Sequence, residues 1–148
     1  MIITFCGHSN FCKSVIYMPI VLEMLEQMSK DEQIDFYLGG YGRFDEFAYE
    51  CAATFKQKHA NTGIFLITPY LDRKRFFQNE KYDAVIYPEL EKVPLRFAIS
   101  YRNKWMADKA DLIIAYVNRS WGGAYQMYKY AESHKKTILN LGEEITVE

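Results

Sequence analysis

The chain has 148 residues, 49% hydrophobic and 25% charged, which fits one domain with its own core and an ordinary soluble globular composition. Its 18 basic and 19 acidic residues leave a net charge of -1, which excludes the electrostatic footprint of a protein built chiefly for nucleic acid or an anionic membrane. No apolar run reaches the ~18 residues of a membrane helix, and none resembles a secretory leader. Three cysteines (Cys6, Cys12 and Cys51) argue against a disulfide framework and for a reducing cytoplasm.

Residues 1–6 (MIITFC) are short, apolar and β-branched, the pattern of a strand. Residues 13–30 place Val15, Ile16, Met18, Ile20, Val21, Met24, Leu25 and Met28 at helical spacing. Pro19 marks either the start of that helix or a kink in it. Residues 33–38 predict a second strand. Residues 43–59 predict a helix with Phe44, Phe47, Ala48, Cys51, Ala52 and Phe55 on one face. Residues 62–68 (TGIFLIT) read as a buried strand, 72–78 as a short helix and 84–87 as a weak strand. A helix over 95–109 follows Pro94, with Phe97, Ala98, Tyr101, Trp105 and Met106 as its apolar positions. Residues 110–117 (ADLIIAYV) carry the strongest strand signal; a helix over 123–134 and a strand over 136–141 follow. No repeat or linker interrupts the pattern, so residues 1–148 read as a single domain.

Apolar strands alternating with helices predict βαβ units. The expected fold is α/β: a Rossmann-like, doubly wound, mostly parallel sheet of about five to six strands with helices on both faces. Ligands bind such sheets beyond the carboxyl ends of the strands, near the topological switch point. Three strand-to-helix turns should share that edge. The first holds Gly7, His8, Ser9 and Asn10, the second reads GGYGRFDEFA from Gly39, and the third runs from Asn118 to Ala124. Helix N-termini there favour an anion, and glycine leaves room for one. The glycines therefore predict either a bound phosphate or ribose, or simply tight turns. The spacing is neither a dinucleotide fingerprint nor a phosphate-binding P-loop.

The same residues carry a resemblance. Gly39-Gly40, with Asp45 five positions after the second glycine, is similar to the Gly-Gly element of the SLOG superfamily, which unites Smf/DprA-like, LOG-like and YpsA-like Rossmann domains. Arg102, Asn103 and Met106 resemble its Arg-Asn-x-x-Met helix, and residues 110–115 followed by Gly122, Gly123 and Ala124 resemble its last ligand-binding strand and loop. The resemblance spans residues 1–141 and is nearest to a small YpsA-like or LOG-like member. It implies a pocket for a nucleotide-derived ligand and favours a homodimer. The LOG-like branch hydrolyses nucleoside monophosphates with an Arg that Arg102 matches and a Glu after the glycine loop; here no carboxylate follows until Glu132.

Taken singly, each candidate keeps a structural alternative. Asp45 is a ribose clamp or general base, or else a carboxylate complementing the helix dipole. Glu46 points about 100° away around the helix, so only one of the two faces the pocket, and Asp45 is favoured. Arg43 reaches a phosphate or is solvated. Arg102 is a phosphate ligand, with Asp45 a candidate catalytic residue, or it makes a structural ion pair. Asn103 bonds a ribose or base edge, or is a polar residue facing water. His8 is an acid–base group or a plain loop residue; Ser9 and Asn10 bond phosphate or cap a helix. Trp121 and Tyr125 sandwich a base or pack. The 16% aromatic content is likewise either core or stacking platform. Cys6, His8 and Cys12 match no zinc spacing, and neither metal nor cofactor is expected.

Three functions stand open: a module that binds a nucleotide-derived ligand (ADP-ribose-like or a nucleoside phosphate) as sensor or sequestering protein; a nucleotide N-glycosidic hydrolase; and an interaction domain for protein or single-stranded nucleic acid. Balanced charge counts against the last.

Overall fold

The structure, a computed structural model, describes residues 1–30, 32–71 and 80–142. The expected helix over 72–78, and the basic pair Lys74 and Arg75 within it, lie outside the described residues. The elements run β1 (Ile2–Gly7), α1 (Ser14–Met28), β2 (Asp35–Leu38), α2 (Arg43–Lys58), β3 (Gly63–Ile67), β4 (Ala84–Ile86), a 3-10 turn (Leu95–Phe97), α3 (Ala98–Lys109), β5 (Leu112–Tyr116), α4 (Gly123–Ser133) and β6 (Ile138–Asn140). The six strands form one sheet in the order β4-β3-β2-β1-β5-β6, and every neighbouring pair is parallel. This is the Rossmann-like α/β architecture. The chain winds outward from β1 to β4, then returns to β5 beside β1, so the switch point lies between β1 and β5.

Helices cover both faces, which explains why β5 is buried at all five positions. On one face α1 and α2 pack against Ile3, Phe36 and Ile114. On the other, Met106 and Ala107 of α3 and Met127 and Ala131 of α4 pack against Ile113 and Ala115. The six residues expected on the apolar face of α2 are all buried, and each large one contributes about 1.5–3 kcal/mol.

Two helices bury stripes other than those the spacing marks. Tyr17, Val21 and Leu25 face the core from α1, while Val15 is 88% and Ile16 61% exposed. The helix neither starts nor stops at Pro19. Proline removes the N–H that the Val15 carbonyl would receive, and Val15 lies on the water side where that loss is tolerated. Along α3 the buried residues are Ala98, Arg102, Met106 and Ala107, while Phe97 and Tyr101 are exposed. An arginine thus occupies the core stripe of α3. Among the described residues no helix is long and apolar enough to cross a membrane.

Candidate functional site

The loop after β1 is held by aromatic packing. Phe11 is buried with its ring centroid 5.0 Å from those of Phe44, Phe47 and Tyr116. This cluster absorbs much of the aromatic supply and pins the loop against α2 and β5. Ser9 is exposed, and its carbonyl accepts the N–H of Arg43 at 3.0 Å. A Cβ on Gly7 would lie 2.3 Å from the Phe44 ring, so a side chain is excluded there by the protein itself. Gly42 is similar: φ is 91° and the Ser9 Cβ would be 2.9 Å away. Packing and turn geometry within the protein suffice to account for these two glycines.

At the second loop, Oδ2 of Asp45 accepts the N–H of Tyr41 at 2.8 Å and closes the glycine turn. Arg102 approaches from α3. Its Nη1 donates to the carbonyls of Gly39 (3.1 Å) and Ile67 (2.8 Å), and its Nε donates to Oδ1 of Asn103 (2.9 Å). Arg102 therefore braces the carboxyl ends of β2 and β3, and is only 5% exposed. A Cβ on Gly39 would lie 3.2 Å from Asp45 Oδ2 and 3.4 Å from Arg102 Cζ, so the two charges flank that glycine.

The third loop leads into α4. No side chain caps this helix, and the space a Cβ of Gly123 would enter is open for 4 Å. The Arg119 guanidinium lies over the exposed Trp121 ring, 3.8 Å from its centroid. Across the switch point, the N–H of Asn118 donates to Nε2 of the buried His8 at 3.3 Å.

These loops enclose a cavity of about 230 Å³ at the carboxyl edge of β1, β2 and β5. Gly7, His8, Ser9 and Gly39 line it, as do Asp45, Arg102, Asn103, Gly123 and Ala124. Other sequence candidates lie elsewhere. Arg43 and Glu46 line a separate groove with Cys12 and Ser14, so α1 begins away from the cavity and the first loop brings His8 there rather than a helix N-terminus. Gly40 lines an adjoining hollow of about 650 Å³, which shares Gly39, Tyr41, Ile99 and Arg102 as walls. Gly42, Gly122, Tyr125 and Trp121 are not among the lining residues. The sequence reading missed Arg119, Tyr41 and the apolar walls Phe5, Ile99, Met106 and Met127. Arg119 sits within the third glycine loop, and that position was its only signal.

The cavity is asymmetric in charge. Burial pushes the Asp45 carboxyl up to about 6, against the pull of the Tyr41 N–H and then of Arg102. Asp45 thus changes charge near physiological pH, as a general acid or base needs to. Burial lowers the pKa of Arg102, with Asp45 and Tyr70 opposing it, and the guanidinium stays charged. Burial and then Arg119 hold His8 below the ordinary imidazole value, so it is neutral at pH 7. Cys6 donates its S–H to the Ala124 carbonyl at 3.1 Å, and burial pushes its thiol up to about 12, so it is not a nucleophile. The site offers cationic donors, a titratable carboxyl and an apolar wall.

Neither a protein-family model nor a curated protein sequence matches the chain. Among solved structures, the chain is similar to DNA processing protein A (DprA) from Streptococcus pneumoniae, with a TM-score of 0.65 at 16% identity. The match covers 92% of this chain and 48% of that one, so the chain spans about half the length of DprA. At this identity the likeness establishes a DprA-like Rossmann fold.

Proposed function

We propose that this chain binds a nucleotide or nucleotide-derived ligand, an ADP-ribose-like molecule or a nucleoside phosphate, in the switch-point cavity, and acts as a sensor or sequestering module of SLOG type. One observation carries the reading: Arg102, Arg119 and the uncapped start of α4 converge on one cavity with Asp45, offering anion donors beside a hydroxyl acceptor. The cavity is smaller than the roughly 300–1,000 Å³ of typical ligand pockets, and the adjoining hollow extends it toward Tyr41. A LOG-like hydrolase has a Glu directly after its glycine loop, whereas here no carboxylate follows Gly123 until Glu132, which favours binding over turnover. Mass spectrometry of the native protein with a nucleotide panel tests the reading.

A second reading rests on Asp45. A carboxyl held at about 6 inside the cavity suits proton transfer during N-glycosidic hydrolysis, with Arg102 binding the phosphate. Release of free base from AMP would select it. The neighbour's name speaks of DNA, but the net charge of -1 gives a polyanion little to hold. A homodimer belongs to the same proposal, because α1 presents Val15, Ile16 and Ile20 to solvent.

A further inference from the structure

Two buried side-chain atoms lack a hydrogen-bond partner among the described residues: Nδ1 of His8 and Nε of Arg119. Both residues line the switch-point cavity. Buried polar groups are nearly always paired, so two orphans on one cavity wall call for an explanation.

The chemistry of each atom is fixed. A backbone N–H can only donate, so the His8 Nε2 that receives Asn118 carries the lone pair. The ring proton then sits on Nδ1, which is a donor. The Nε of a guanidinium is also a donor. The Arg119 Nη2 comes within 3.8 Å of the place a Cβ on Gly122 would take, beside the uncapped N-terminus of α4. These two side chains therefore present donors only. Among the described residues, the one carboxylate lining the cavity is Asp45, which enters from the β2 side, whereas Arg119 enters from the β5 side.

The geometry points to a phosphoryl subsite in which His8 Nδ1–H and Arg119 Nε–H hold phosphate oxygens over the start of α4. The ligand then runs across β1, with its phosphate on the β5 side and its hydroxyls toward Asp45 on the β2 side. This orientation rests on the nucleotide reading; the phosphoryl subsite itself does not.

Nitrogen-15 spectra of the histidine rings test it. The chain has three histidines, and Gln variants at His59 and His134 leave the remaining ring signal to His8. Inorganic phosphate and AMP should each move the His8 Nδ1–H signal, and adenosine should not. Arg119→Gln should weaken phosphate and AMP about tenfold or more, and Arg119→Lys should recover part of that loss. If AMP binds while the His8 signal stays still and Arg119→Gln keeps wild-type affinity, the subsite is wrong and the nucleotide reading survives. If phosphate moves His8 but AMP binds no tighter than phosphate, the subsite stands and the nucleotide reading falls. If neither probe moves His8, the subsite is overturned.

Discussion

Asp45 Oδ2 accepts the backbone N–H of Tyr41 at 2.8 Å, so a cavity carboxylate also closes the turn that starts α2. Burial outweighs that bond and raises its pKa from 3.8 to about 6. The folded chain therefore holds a proton that the unfolded chain releases. This stabilising contribution is complete below about pH 4 and is lost as pH rises through about 6. Asp45→Asn keeps an acceptor for Tyr41 and removes the buried charge. It should raise the melting temperature at pH 7.5 by about 4 °C or more and leave it unchanged at pH 4. A lower melting temperature at pH 7.5 would show that the carboxylate is structural rather than held at a cost.

Gly7 and Phe44 are coupled by contact. In Gly7→Ala the new Cβ would sit 2.3 Å from the Phe44 ring, which is itself packed on Phe11 and Phe47. The expected loss is about 2–3 kcal/mol in urea denaturation. Pairing it with Phe44→Leu should return part of that loss, because the smaller side chain vacates the clash. Additive losses in the double variant would exclude the contact as the cause.

Arg102 is bonded to two carbonyls at strand ends and to Asn103. Arg102→Met leaves both carbonyls without their donor and should cost about 2–4 kcal/mol. Arg102→Lys lacks the planar fork and should restore only part of it. A stability within about 0.5 kcal/mol of wild type for Arg102→Met would refute the brace.

The fold was largely legible because the strands are buried on both sides and so appear as continuous apolar runs, TGIFLIT and ADLIIAYV above all. The buried face of α2 was legible for a related reason: its apolar residues occupy one stripe and its charges the other. In α1 apolar residues surround the helix, and spacing cannot choose among stripes when tertiary packing decides. The glycine loops marked residues that line the cavity, but not what the glycines do. Gly7 answers to Phe44, a contact distant in sequence, and only Gly123 opens onto empty space. Arg119 was overlooked because one basic residue in a polar loop has no periodicity to mark it.

The exposed residues of α1 give a separate expectation. Ile16→Asp lies on the water side of the helix and should change stability by no more than about 0.5 kcal/mol. In sedimentation it should convert a dimer to a monomer. A wild-type chain that sediments as a monomer would remove the dimer from the account.

The central claim is occupancy of the switch-point cavity, and native mass spectrometry tests it most directly. The protein would be measured alone and with AMP, ADP, NAD, ADP-ribose and cyclic nucleotides, beside an Asp45→Asn, Arg119→Gln double variant. The account predicts one ligand of unchanged mass per subunit from the phosphate-bearing members, lost in the double variant. Failure of every panel member to bind, or equal binding by the double variant, would contradict it.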